Sequence, residues 1–154
     1  TPLILQLMFW KFAPYYIVGK TMEIMTAAIV AFSLNYAAYF AEIYRSGIEG
    51  VPVGQQEAAT VLGFSKLQTF FKITMPQVIK RILPPMSNEF MTLVKDTSLA
   101  QVIGVAEIYQ LATKNMTRTA SITPLIMAGA FYLVMNIVVQ QCFNAAERKL
   151  RYYR

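Results

Sequence analysis

The sequence predicts an all-α, polytopic membrane helical bundle, and three observations predict it. Hydrophobic residues make up 56% of the 154 and charged residues only 14%, where a soluble domain carries about 25%. Two long stretches have no charge at all: 18 residues from Ile24 to Ala41 and 28 from Thr119 to Ala146. The Lys and Arg residues are also unevenly shared between the two sides that such spans would define. A bilayer core of ~30 Å takes about 20 apolar residues in a helix, so both stretches read as spans. A soluble bundle is the alternative, but its helices run to about 8–20 residues with polar outer faces. Neither stretch shows a charged face.

Composition excludes several function classes. The mean hydropathy of +0.43 and sparse charge exclude disorder. A single Cys excludes a disulfide framework. The absence of His excludes His metal sites and Ser-His triads. The nine Met are read as adaptable packing residues, and no Met/Cys spacing suggests a metal site.

The elements follow in order within one domain, residues 1–154. Residues 1–18 form a partial span, interrupted by Lys11 and Pro14. Its first residues already read as membrane-facing (Leu3, Ile4, Leu5, Leu7), and the chain starts with Thr, so a fragment lacking its N-terminal part is expected. No basic region followed by an apolar run and a cleavage site marks a signal peptide. The second span covers about 22–43. A third runs over about 82–106 and is apolar except for Glu89, Lys95 and Asp96. The fourth covers about 121–146.

The positive-inside rule orients these spans. Residues 43–81 hold Arg45, Lys66, Lys72, Lys80 and Arg81, and the tail holds Arg148, Lys149, Arg151 and Arg154. The opposite loops hold Lys11, Lys20, Lys114 and Arg118. Nine against four places the 43–81 segment and the C-terminus in the cytoplasm. The sequence pI near 9.5 thus reports topology, and no nucleic-acid partner is expected. Tyr36, Tyr39, Tyr44, Tyr132, Tyr152, Tyr153 and Trp10 fit packing and interfacial belts. Cys142 reads as a small buried side chain. Asn136 and Gln140, four apart, read as partners for a neighbouring helix.

The loop over about 46–80 is long and helically patterned. Pro52 can open a helix, Gln55 to Leu62 are good helix formers, and Gly63 can supply a left-handed stop. Ser65 followed by Gln68 fits a capping box for a second short helix, which Met75-Pro76 is expected to break. A helix–Gly–helix on the cytoplasmic face suits the docking of another protein. A solvated surface hairpin is the plainer reading.

These residues carry a family resemblance. Glu57-Ala58-Ala59, three residues, Gly63, nine residues, then Ile73-x-Met75-Pro76 resembles the EAA loop of ABC importer permeases, with Met75 where Leu is usual. Ala41-Glu42-Ile43-Tyr44-Arg45-Ser46-Gly47-Ile48, Leu93-Val94-Lys95-Asp96-Thr97-Ser98-Leu99 and Thr1-Pro2-Leu3-Ile4-Leu5-Gln6-Leu7 are similar to the polar amino acid uptake subfamily. The resemblance covers nearly the whole chain. It implies a MetI-like permease of the type I importer class, with cytoplasmic coupling helices and a further N-terminal helix in the full subunit.

It also implies partners: separate ABC ATPase subunits, a second permease subunit as homodimer or heterodimer, and an extracytoplasmic substrate-binding protein, in membrane lipid. Glu57, Ala58, Ala59, Gly63, Ile73 and Pro76 would couple to the ATPase. Small alanines suit close helix packing, and Glu57 is expected either early in its helix, where the dipole favours a carboxylate, or paired with a basic group on the partner. The chain has no phosphate loop of the G-x-x-x-x-G-K-[ST] type. It is therefore not expected to be an enzyme, and ATP and Mg would be bound by the partner.

The charged residues of the third span cost about 2.5–3.5 kcal/mol each on insertion scales and so usually face a cavity or one another. Glu89 and Asp96, seven apart, share a helical face. With Thr97, Ser98, Gln101 and Asn35 they are candidates to hold an amino acid, possible basic side chain included; Gln6 and Tyr39 are further pore-facing candidates. The structural alternative is that Lys95 neutralises Asp96 or a carboxylate elsewhere. An ion-coupled secondary transporter or channel, and an intramembrane enzyme using the two carboxylates, remain the competing functions.

Overall fold

The computed structural model describes residues 1–150, and every regular element among them is helical. Arg151, Tyr152, Tyr153 and Arg154, which entered the topology and aromatic-belt readings, lie outside the described residues. Helix α1 is Leu3–Val18, α2 Ile24–Glu49, α3 Val53–Val61 and α4 Lys66–Thr69. A π-helical turn, Phe70–Thr74, leads directly into α5, Met75–Asp96, and a 3-10 segment, Thr97–Ile103, continues it. Helix α6 is Ile108–Thr119 and α7 is Thr123–Leu150. The chain divides into two compact units. One holds residues 1–38 and 91–138, the other residues 39–90 and those from 139 onward.

In the first unit, α1 ends at Gly19, whose left-handed φ of 72° lets its N–H reach the Tyr15 carbonyl at 3.0 Å. Lys11 does not face bulk solvent alone: its Nζ donates to the Met22 carbonyl at 2.6 Å, binding the turn back onto α1. Glu23 starts α2 by accepting from the Met25 N–H (3.0 Å) and the Thr26 N–H (2.7 Å). The core joins Leu3 and Leu7 of α1 to Ala27, Ala28 and Ala31 of α2 and to Ile103. The three alanines give α2 a small-residue face that lets the leucines of α1 pack against it.

The structure redraws the third span. Helix α5 begins at Met75 rather than near residue 82, and the chain is α-helical only to Asp96 before tightening to 3-10 geometry. Met75-Pro76 does not break the helix either. The preceding π turn, closed by the Met75 N–H on the Phe70 carbonyl, is wider than an α turn and makes room for the Pro76 ring, which has no N–H to give. The Gln77 side-chain amide then donates to the Ile73 carbonyl at 2.9 Å. Residues 108–119, read as loop, form α6, because the Glu107 carboxylate caps the N–H groups of Tyr109 (2.8 Å) and Gln110. Cys142 is exposed rather than buried.

Among the described residues, α2 and α7 are long and apolar enough to cross a membrane, while α1 is a shorter apolar helix. Helix α5 is long enough but amphipathic, with Lys80, Arg81, Glu89, Lys95 and Asp96 along it.

Candidate functional site

The expected coupling segment lies wholly in the second unit. Pro52 precedes α3 with φ −59°, a value its ring fixes. The end of α3 is a Schellman turn. The Gly63 N–H reaches the Thr60 carbonyl and the Phe64 N–H the Ala59 carbonyl, both at 3.0 Å. This needs Gly63 at φ 78°, a left-handed conformation that glycine adopts without penalty. Helix α4 opens on the expected capping box. The Ser65 hydroxyl accepts from the Gln68 N–H at 3.3 Å, and the Gln68 side chain accepts from the Ser65 N–H at 2.9 Å. Ser65→Ala is expected to cost about 1 kcal/mol of local stability. Faster amide exchange at Gln68 would register it, and unchanged exchange would remove the cap from the account.

The six residues expected to couple to the ATPase separate by environment. Ala59 is buried, and Ile73 and Pro76 are half-buried. Glu57, Ala58 and Gly63 are exposed. Glu57 is the fifth residue of α3, not in its first turn, because the helix starts at Val53; the dipole reading of Glu57 is therefore corrected. At the tip, Val61 is 88% and Leu62 73% exposed. The tip thus leaves two adjacent large apolar side chains open.

The polar residues expected to meet substrate fall in both units. Asp96, Thr97, Ser98, Gln101, Asn35 and Gln6 belong to the first, whereas Glu89 and Tyr39 belong to the second. Within the first unit Asp96 is half-buried and accepts a hydrogen bond from the Tyr36 hydroxyl at 2.8 Å. Tyr36 is itself only 5% exposed and stacks on Phe32. Lys95 is exposed and, among the described residues, forms no ion pair with Asp96. The Gln6 side-chain amide donates to Asn35 Oδ1 at 3.0 Å, joining α1 to α2. The Thr97 and Ser98 hydroxyls donate back to the Val94 and Lys95 carbonyls at 2.7 and 2.8 Å, which satisfies the backbone where α5 tightens. Gln101 is half-buried on the 3-10 segment.

Two residues read as packing aromatics turn out to hold charge. Tyr36 serves Asp96, and the Tyr132 hydroxyl donates to Glu107 at 3.0 Å. The paired residues lie 60 and 25 positions apart in the chain, and spacing along the chain carries no signal of that kind. Asn136 donates to the Tyr132 carbonyl of its own helix at 2.8 Å rather than to a neighbour.

Residues 1–152 match the family described as the binding-protein-dependent transport system inner membrane component. The chain belongs to this family. It is an inner-membrane transport component and not an enzyme. It is 38% identical over 152 residues to the arginine transport system permease protein ArtQ of Bacillus subtilis, covering 98% of this chain and 69% of that protein. The L-cystine transport system permease protein TcyB of the same organism is 36% identical, with 99% and 66% covered. The octopine transport system permease protein OccM of Rhizobium radiobacter is 41% identical over 121 residues, or 78% of this chain and 49% of that one. The chain thus spans from about half to about two thirds of the length of these relatives. A crystal structure of an amino acid ABC transporter with histidines superposes with a TM-score of 0.85 at 34% identity, over 97% of this chain and 70% of that one. The fold is accordingly the MetI-like permease bundle.

Proposed function

We propose that this chain is a permease subunit of an ATP-driven ABC importer for amino acids and lines the path the substrate takes through the membrane. The observation that carries the path is the chemistry of α5: a helix of spanning length that carries charged residues and ends on Asp96, which accepts from the buried Tyr36 hydroxyl of α2. A helix of that kind is stable in a membrane when its polar face borders a cavity or another subunit. Helices α2, α5 and α7 cross the bilayer, with residues 43–81 and the C-terminus cytoplasmic, as the basic residues favour. The α3–π hairpin docks a separate ATPase subunit, which binds ATP and Mg. A second permease subunit completes the path, and an extracytoplasmic binding protein delivers substrate.

Arginine and L-cystine, named for two relatives, share the ammonium and carboxylate of an amino acid. Asp96 supplies the counter-charge for an ammonium, with Asn35, Gln101 and the Thr97 and Ser98 hydroxyls as neutral partners. Glu89 would add a second carboxylate for a basic side chain. The test is uptake by the complex reconstituted with its ATPase and binding protein, competed by a panel of amino acids. ATP-dependent uptake inhibited by basic amino acids is the expected result. Uptake driven by an ion gradient without ATP would turn the reading to a secondary transporter, and inhibition by neutral or acidic amino acids alone would remove the basic-substrate preference.

A further inference from the structure

The coupling hairpin is tied to its unit at more than its two chain ends. Helix α2 finishes at Glu49, and the Gly50 N–H closes on the Ser46 carbonyl at 3.0 Å. The Gly50 carbonyl is one of the acceptors that a helix end leaves without an internal partner. It is taken by Arg81 Nη1 from α5. Thirty-one positions separate these two residues, and the intervening chain is the hairpin itself. Beside the bond, α2 and α5 are in direct contact. A Cβ at Gly47 would overlap Ile82 Cγ2 and lie 3.3 Å from Val78 Cγ1. A Cβ at Gly50 would meet the guanidinium. Val51 is buried next to this crossing, and Pro52 then fixes the entry to α3.

The mechanical consequence follows from the connectivity. On the α2 side the hairpin hangs from a three-residue link, Gly50-Val51-Pro52. A displacement of α3 could be absorbed there by backbone rotation and never reach α2. On the other side, the π turn runs into α5 without a break. A charged donor bound to the Gly50 carbonyl, one residue past the end of α2, closes the open side of this frame, and hydrogen bonds from a cation are the stronger kind. Arginine suits the task because its guanidinium stays charged and keeps a planar donor array at the end of a long arm.

We propose that Arg81 is a positioning residue for energy coupling: a brace that makes the hairpin, the end of α2 and the start of α5 move as one body. The proposal rests on the reading of the hairpin as the ATPase-docking element. It concerns a residue outside the EAA pattern and outside the expected substrate site.

The test is the ratio of ATP hydrolysed to substrate imported, measured on the full complex in proteoliposomes. Arg81→Met keeps much of the arm and removes the donors. It is expected to assemble and hydrolyse ATP while the ratio rises about fivefold, the lower end of usual coupling between sites. Arg81→Lys, which keeps a charged donor, is expected to restore most of the wild-type ratio. An Arg81→Met complex with the wild-type ratio would overturn the proposal, as would uptake and hydrolysis falling in parallel. If that variant does not assemble, Arg81→Gln is measured in its place with the same expected rise. Failure of both to enter the complex would make Arg81 a folding residue and equally overturn the brace. The wild-type complex keeps the two readings apart: absence of ATP-coupled uptake there defeats the proposed function, whereas a coupled wild type with an equally coupled variant defeats only the brace.

Discussion

Asp96→Asn is expected to lower amino-acid uptake by at least about tenfold while the subunit inserts and the complex assembles. The substitution is nearly isosteric, and Asn retains an oxygen that can accept from the Tyr36 hydroxyl, which now lies 2.8 Å from the carboxylate. What is lost is the charge. A hydrogen bond to an ionised partner contributes about 1.5–3 kcal/mol, which is about one to two powers of ten in affinity. The loss should therefore appear in the half-saturating substrate concentration or in the uptake rate, with recovery of the complex unchanged. Tyr36→Phe separates the positioning of the carboxylate from its charge. It leaves the aspartate in place without its buried donor and should impair uptake less than Asp96→Asn does. Wild-type uptake in Asp96→Asn would remove this carboxylate from the path and leave it a structural role within its unit.

What the sequence made legible was local. The capping box at Ser65 and Gln68, the left-handed stop at Gly63 and the helix following Pro52 each depend on residues within a few positions of one another, and each is present. The two charge-free stretches are likewise helices α2 and α7. The errors lie where one local rule met another. Proline at residue 76 reads as a breaker, yet a single π turn absorbs it and the helix runs on. The Glu107 cap was missed because a glutamate is not among the usual cap residues, and α6 was missed with it. The pairing of Tyr36 with Asp96 was illegible for a different reason. A tyrosine in an apolar stretch satisfies packing, belt and hydrogen-bond readings equally, and only the fold decides which partner it meets. The same holds for the Arg81 contact with Gly50, since a backbone carbonyl leaves no mark in a sequence.

Gly63→Asp is expected to abolish recovery of the ATPase with this subunit while leaving the subunit in the membrane. The structure sharpens why. Gly63 has φ 78°, and a Cβ there would find nothing within 4 Å. Steric exclusion is therefore absent, and the local cost is the left-handed backbone, about 1–2 kcal/mol for a residue with a side chain. Aspartate is among the residues that tolerate that region best, so both Schellman hydrogen bonds can persist. In the chain the new carboxylate directly follows Val61 and Leu62, which are 88% and 73% exposed and form the apolar tip that a partner would cover. Burying an unpaired carboxylate against such a surface costs several kcal/mol, and about 2.7 kcal/mol already lowers affinity a hundredfold. Gly63→Ala supplies the same backbone strain without the charge and should keep most of the association. Normal recovery of the complex with Gly63→Asp would count against docking at this tip. Equal loss in both variants would assign the effect to the shape of the turn rather than to the surface it presents.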